Sequence, residues 1–399
     1  MSPSDMNNYT ASSESSQSLD NNVGSSYDKS FAKAYQLSYH ISRSMDTYST
    51  FVDKKKEAML PSFDSSELVL GDLLGSGGFS DVFSLTSVDL HANSRSERST
   101  EYAKRRQSLQ EKASTKIGSL AVKVLQKSTL KNTNAFCNSA ADLLVETKIL
   151  ASLKSHPNII KLHGVGSSGI AGYRDGDEKG YFLLLDRLQS TLDVQLDVWS
   201  TLGNTPPLVQ RLRIAQCVSS ALSHLHKHKV VFRDLKPDNI GFDQEGYVKL
   251  FDFGLAKELD PKTHVEGGAY HMTAKTGSRY YMAPEVALSK PYGLSADVYS
   301  FAILLWQLCS TAQPFEDMPR KEYFSNVICG KERLFLNKKW SSTLQNIMKW
   351  SWAHKPSVRP PMSDISSSIK REITREKKAR NWPFRENLFR SNSEKLNAY

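Results

Sequence analysis

The chain has 399 residues, 52 of them Lys or Arg against 42 Asp or Glu, a formal net charge of +10, and 39% hydrophobic residues. That composition can fill a sizeable core and excludes a fibrous or wholly disordered protein. The four cysteines, Cys137, Cys217, Cys309 and Cys329, have no short paired spacing, which excludes a disulfide framework or a cysteine zinc site and predicts a reducing compartment, cytoplasmic or nuclear.

Residues 1–66 begin Met-Ser-Pro-Ser-Asp, with no basic start leading to an apolar run and no glycine at position 2 to myristoylate, so no secretory signal is expected. Rich in Ser, Asn, Asp and Tyr, they predict a disordered tail. Within it, residues 29–48 have two readings: a helix with Phe31, Ala34, Tyr35 and Ser38 on one docking face, or an exposed tail that samples helix transiently. From Glu67 the pattern becomes strand, glycine turn, strand: Glu67 to Leu74, then Gly75-Ser76-Gly77-Gly78-Phe79-Ser80, then Asp81 to Leu85. Residues 89–119 are charged, lack strand character and read as an insertion between the second and third strands. Inside it, Arg105-Arg106-Gln107-Ser108 matches a basic-directed phosphorylation pattern short enough to arise by accident.

The next strand, Leu120-Ala121-Val122-Lys123-Val124-Leu125, has a lysine amid apolar residues, which requires an anionic partner. Glu146, in the helical run Leu143 to Leu150, is the candidate. Residues 166–180 predict an exposed loop, and Tyr181 to Leu188 a buried strand. Beyond it, Ile214, Cys217, Val218, Ala221, Leu222 and Leu225 recur at three- and four-residue steps, as in an amphipathic helix. A small strand-rich part followed by a larger helical part makes the fold class α+β. The longest apolar run, Val298 to Cys309, is about a dozen residues and suits a buried helix, so no membrane span is expected. Most of the excess positive charge lies in 89–119 and 370–399. No recognition motif accompanies it, so solvated segments are expected and not a nucleic-acid surface.

Two polar stretches follow the amphipathic helix: Phe232-Arg233-Asp234-Leu235-Lys236-Pro237-Asp238-Asn239 and Phe251-Asp252-Phe253-Gly254. Together they resemble the catalytic and metal-binding loops of eukaryotic protein kinases, serine/threonine type, with the tyrosine-kinase-like group as one possible home. The glycine turn resembles the family's loop over the ATP phosphates. Met282-Ala283-Pro284-Glu285, Ser295 to Phe301 and Pro356-Ser357-Val358-Arg359-Pro360 extend the resemblance over roughly residues 67–370.

The resemblance implies a bilobal kinase domain at 67–370 with a hinge near 186–189 and a basic tail at 371–399. It implies ATP and Mg2+ as cofactors, protein substrates, and transfer of the γ-phosphate to Ser or Thr hydroxyls. Asp234 is then the base, Lys236 neutralises the transferring phosphate, and Asn239 and Asp252 hold the metal. Leu74, Gly75, Ser76, Gly77, Gly78, Val82, Ala121, Lys123, Glu146, Leu185, Asp186 and Leu188 would surround the nucleotide, with Leu185 the gatekeeper and the backbone of Asp186 to Leu188 on adenine. Asp297 would brace the catalytic loop, and Glu285 would pair with Arg359. Lys236 and Ser278 favour Ser/Thr acceptors, with dual specificity left open. Arg233 beside the base suggests ordering by an upstream kinase acting on Thr273 or Thr276, with Lys257 as a second cation.

Three positions depart from the family pattern: Ser80 for the third glycine, Phe232 for the catalytic-loop histidine, and Gly241 where a leucine-like residue usually floors the adenine site. Gly241 predicts a roomier floor and weaker ATP binding, relieved by Gly241→Leu. The rival reading is a pseudokinase scaffold, which survives mainly through Gly241 and Phe232, since Lys123, Asp234, Asn239 and Asp252 are all present.

Overall fold

A computed structural model describes residues 26–90, 100–115 and 118–379. Its first element lies inside the expected tail. Helix α1 (Ser26–Tyr48) buries Phe31, Ala34 and Ser38, while Tyr35, the fourth member of the stripe, stays 43% exposed. The expectation of a disordered tail to residue 66 is thereby corrected for its described part, because a short apolar stripe holds a helix once another helix covers it. Helix α2 (Lys54–Ala58) follows, capped by the Asp53 carboxylate, which accepts from the Lys55 and Lys56 amides. Residues 1–25 of that tail lie outside the described residues.

The small lobe is a six-stranded sheet of β1 (Ser62–Phe63), β2 (Leu68–Ser76), β3 (Ser80–Val88), β4 (Leu120–Leu125), β5 (Leu162–Gly166) and β6 (Phe182–Asp186), in the order β1-β5-β6-β4-β3-β2. All pairings are antiparallel except β1 with β5. Alternation along β4 decides what each face does. Leu120, Val122 and Val124 join Phe182 and Leu184 of β6 in one apolar layer, which leaves Ala121, Lys123 and Leu125 for the opposite face.

That apolar layer is closed by helix α3 (Thr100–Thr115), through Leu109 and Ala113. The described part of the expected insertion is therefore packed: apolar residues four apart meet the sheet while most of the charges face solvent. Arg106 is the exception, buried and bonded to Glu67 at 2.6 Å, so Arg105-Arg106-Gln107-Ser108 is not an accessible basic pattern. Residues 91–99 and 116–117 lie outside the described residues. On the inner side, α4 (Lys127–Leu130) leads to α5 (Thr133–Ser152), capped by the Asn132 side chain on the Ala135 amide.

The large lobe opens with β7 (Leu188–Thr191) and α6 (Leu192–Thr201), followed by the amphipathic α7 (Leu208–Lys227). Two short pairings frame the loops of interest. β8 (Val230–Val231), just before the first polar stretch, pairs with β11 (Lys257–Glu258), just after the second. β9 (Ile240–Asp243) and β10 (Val248–Leu250) complete a three-stranded sheet with β7. Helix α8 (Pro284–Ala287) precedes α9 (Ser295–Ser310), in which Ala296 through Cys309 are all buried, as the apolar run predicts. The chain's last described helix, Met362–Ala379, packs along α7 and buries Ile369, Glu372 and Ile373. The folded part thus runs past the boundary expected at 370, and 380–399 lie outside the described residues. The architecture is α+β and two-lobed. Among the described residues, no helix is long and apolar enough to cross a membrane.

Candidate active site

Lys123 emerges from the inner face of β4 and meets two carboxylates. Its Nζ donates to Glu146 Oε2 on α5 at 2.7 Å and to Asp252 Oδ1 at 2.9 Å. Burial opposes the ammonium charge, yet Asp252 and Glu146 together raise its pKa above the usual lysine value. Lys123 in turn holds Asp252 below the usual carboxylate range. The other Glu146 oxygen accepts from the Phe253 amide at 3.1 Å, so a single glutamate fixes both the lysine and the second polar stretch.

The first polar stretch is pinned from beneath. Asp297, at the start of α9, accepts from the amides of Phe232 at 2.8 Å and Arg233 at 2.9 Å, and His226 Nε2 lies 2.9 Å from the same carboxylate. The pinning matters because Arg233 and Asp252 both have left-handed backbones, with φ of 71° and 65°, which side-chain-bearing residues adopt only when their surroundings impose it. Phe232 is buried and its ring packs edge-on against Phe253 at 5.1 Å, so the departure from histidine is absorbed as packing.

Asp234 sits at the centre of this loop. Its Oδ1 accepts from Ser278 Oγ at 2.8 Å and its Oδ2 from Asn239 Nδ2 at 3.0 Å, while Lys236 Nζ lies 3.7 Å from Oδ2. Asn239 Nδ2 also donates to the Asp234 carbonyl at 2.8 Å, which turns both donor contacts of the amide nitrogen onto Asp234 and leaves the amide oxygen as an acceptor. Asp252 keeps its side chain 46% exposed. Among the described residues, no cluster of three or more His, Cys, Asp or Glu forms a metal cage. The pair Asn239 and Asp252 suits a hard cation that arrives with phosphates, since magnesium needs only one or two protein carboxylates.

Above the cleft, the turn from Gly75 to Gly78 is held by Gln126, whose Nε2 donates to Ser76 Oγ and the Gly77 carbonyl, both at 2.8 Å. A β-carbon at Gly75 or Gly78 would meet nothing within 4 Å, and none of Gly75, Gly77 and Gly78 has positive φ. Neither close packing nor left-handed backbone demands glycine at 75 or 78, so an open approach for an external group is what these residues supply. Leu74 and Val82 are half-buried beside this turn. Ala121 pairs across the sheet with Leu185, and both are buried.

At the hinge, the Asp186 carboxylate turns to His163 Nε2 at 2.7 Å and the Lys161 amide at 3.1 Å, with Lys112 of α3 at 3.8 Å. Its amide donates to the Lys161 carbonyl, and the Arg187 amide to the Ser119 carbonyl. Leu188 changes the reading of Gly241. A β-carbon on Gly241 would lie 2.5 Å from Leu188 Cδ1 and 3.3 Å from Phe251 Cε1. The expected roomy floor is corrected: Leu188, delivered by the pairing of β7 with β9, already occupies that space.

The segment from Asp252 to Glu285 is anchored at its far end by Arg359, which grips Glu285 through Nη1–Oε1 at 2.6 Å and Nη2–Oε2 at 2.9 Å, both side chains buried. The Arg233 guanidinium donates to the Leu255 carbonyl and lies 3.3 Å from the Tyr292 hydroxyl. Among the described residues it pairs with no carboxylate. Burial and the nearby Arg233 lower the pKa of Lys257. Thr273 is exposed and Thr276 half-buried, and the Thr273 carbonyl accepts from the Tyr292 hydroxyl at 2.7 Å.

Sequence reasoning missed Gln126, His226 and the side chain of Leu188. None carries a local signal, because each acts across contacts distant in the chain.

A family model described as Protein kinase domain matches residues 102–368. The chain is 27% identical to the probable serine/threonine-protein kinase gdt4 of Dictyostelium discoideum over 342 residues, 83% of this chain and 17% of that protein. It is 32% identical to human ribosomal protein S6 kinase alpha-3 over 243 residues, 60% of this chain and 29% of that protein. With human ribosomal protein S6 kinase alpha-1 the identity is 31% over 258 residues, 63% and 31% of the two chains. The chain spans less than a third of the length of these curated relatives.

Proposed function

The chain belongs to the protein kinase family, and from that premise we propose that it transfers the γ-phosphate of ATP to serine or threonine hydroxyls of protein substrates. The observation that carries this reading is the double contact of Lys123 with Glu146 and Asp252, a largely enclosed cation already set beside the carboxylate expected to hold the metal. Lys123 would meet the α- and β-phosphates, and the glycine turn would cover them. Leu185, Ala121, Val82, Leu74 and Leu188 would enclose the adenine, with hinge backbone from Asp186 to Leu188 at its edge.

The acceptor hydroxyl oxygen attacks the γ-phosphorus, the bond from that phosphorus to the bridging oxygen breaks, ADP leaves, and the hydroxyl proton passes to Asp234. Asn239 and Ser278 orient the Asp234 carboxylate, and Lys236 faces the charge on the transferring group. Asn239 and Asp252 would hold Mg2+, which when bound neutralises phosphate charge. The Ser278 contact favours Ser or Thr acceptors. Phosphorylation of Thr273 or Thr276 by an upstream kinase would supply the anion that Arg233 and Lys257 lack.

Radiolabelled phosphate transfer onto an array of Ser, Thr and Tyr peptides, with wild type beside Asp234→Asn, tests the proposal. Transfer by wild type to Ser and Thr peptides, lost in the variant, is expected. Equal signal from both would assign the activity to a contaminant and favour the pseudokinase scaffold.

A further inference from the structure

Helix α5 carries two buried charges that point in different directions. Glu146 faces Lys123. Lys148, two residues on and so roughly opposite around the helix, is 2% exposed and faces the N-terminal segment, where its Nζ donates to Asp46 Oδ1 of α1 at 2.8 Å and Glu57 Oε2 of α2 at 2.8 Å. An ammonium buried this far stands only if carboxylates meet it. The lysine–glutamate contact of the cleft and the N-terminal segment are thereby joined through one helix.

The segment holds α5 along its length. At the start, Ser30 Oγ lies 2.5 Å from Thr133 Oγ1, and Tyr27 stacks on Phe136 while its hydroxyl donates to the Tyr173 carbonyl. At the end, the Asp53 amide donates to Ser152 Oγ at 2.9 Å and Lys56 Nζ to the Ser152 carbonyl at 3.0 Å. Between them, Phe31 and Ala34 are buried. This second layer explains why Glu146 through Leu150, more than a full turn of α5, are all buried, where a helix lying on a sheet alone would show a polar face to water.

The segment also crosses to the other lobe. The amide and hydroxyl of Thr50 donate to Glu258 Oε1 at 3.0 and 2.6 Å, and Ser49 donates to Oε2. Glu258 lies in β11, whose partner β8 runs directly into the loop that bears Asp234.

We propose that residues 26–60 are a built-in brace that keeps Glu146 against Lys123, and that Lys148 is the positioning residue through which it acts. Release of the Asp46 and Glu57 carboxylates from Lys148 frees α5, loosens Glu146 from Lys123 and turns phosphate transfer down without substitution of any nucleotide-binding residue. The effect on transfer rests on the function proposed above; the mechanical link does not.

The test uses the full chain as wild type, Asp46→Asn with Glu57→Gln, Asp46→Asn alone, Lys148→Arg and Asp234→Asn, each measured by steady-state phosphate transfer and by amide hydrogen exchange. The double variant is expected to lose about tenfold in kcat, more than it changes KM for ATP, with faster exchange over residues 133–152 and none over α9. Asp46→Asn alone should move both in the same direction by less, and Lys148→Arg should keep both near wild type. Asp234→Asn should abolish transfer and leave exchange alone. Unchanged kcat and unchanged α5 exchange in the double variant overturn the brace, as does faster exchange spread evenly over α9. Faster α5 exchange in a chain whose wild type transfers no phosphate supports the brace and sinks the catalytic reading instead.

Discussion

Leu188 stands in the space a β-carbon on Gly241 would need, its Cδ1 2.5 Å and its Cγ 3.3 Å from that position. The two residues act as an exchanged pair, a leucine at the hinge with a glycine on the strand beneath. Gly241→Leu therefore crowds Leu188 and Phe251, and is expected to raise the KM for ATP, reversing the outcome the sequence predicts. Leu188→Ala should raise it too, by roughly fivefold to tenfold for the lost apolar face. Combining the two should bring KM closer to wild type than either change alone, whereas simple additivity of the two losses in steady-state kinetics would refute the exchange.

Asp142, one turn before Glu146 on α5, has its pKa pushed up to about 6, first by burial and then by the nearby Asp252 charge, against the pull of Lys123 and Arg233. A carboxyl raised in the fold binds more protons folded than unfolded, so its contribution to stability falls as pH rises from about 4 to about 6 and is flat above. Asp142→Asn removes that slope. The variant should gain on wild type across that window, by up to about 3 kcal/mol at pH 7.5, in urea midpoints taken at pH 4.5 and 7.5. Parallel wild-type and variant curves at the two pH values would show that Asp142 is charged throughout.

What could be read in advance was local. The lysine amid apolar β4 residues demands a carboxylate whatever the fold, and the Asp234 to Asn239 stretch is short enough for its spacing to set its geometry. Ser278 on Asp234 and Arg359 on Glu285 were expected from motifs that survive intact. What stayed hidden depends on pairings far apart in the chain. The α1 stripe of Phe31, Ala34 and Ser38 is too thin to hold a helix until α5 covers it. Leu109 and Ala113 of α3 sit among charges that mask them. The direction of Leu188 is set by the alignment of Thr191 with Gly241 across β7 and β9, and Lys148 meets Glu57 across 91 residues of chain.

Arg233 has two neutral acceptors, and burial followed by the Arg233 charge disfavours the Lys257 ammonium, so the pair favours a new anion nearby. Phosphorylation at Thr273 or Thr276 is expected to raise kcat/KM by tenfold or more, an effect that Arg233→Gln abolishes. Thr273→Ala and Thr276→Ala, singly and together, checked by transfer assays after treatment with a phosphatase, locate the site. Full activity in the double variant would discard the idea.

Arg359 and Glu285 form a bidentate pair buried far from the nucleotide residues, with Arg359 also donating to the Ser295 and Ala353 carbonyls. Its function is to tie the end of the segment carrying Ser278 to the body of the large lobe. Arg359→Ala strands Glu285 as an uncompensated buried charge, at a cost of about 3–5 kcal/mol. Arg359→Lys keeps the charge but loses the forked contact and should cost less. Replacing both partners, as Glu285→Gln with Arg359→Met, removes the stranded charge and should recover part of the loss. Urea unfolding of the four proteins checks the order. Because the loss arises from desolvation and not from the contact alone, the double variant should be more stable than Arg359→Ala, even though it retains less of the native network.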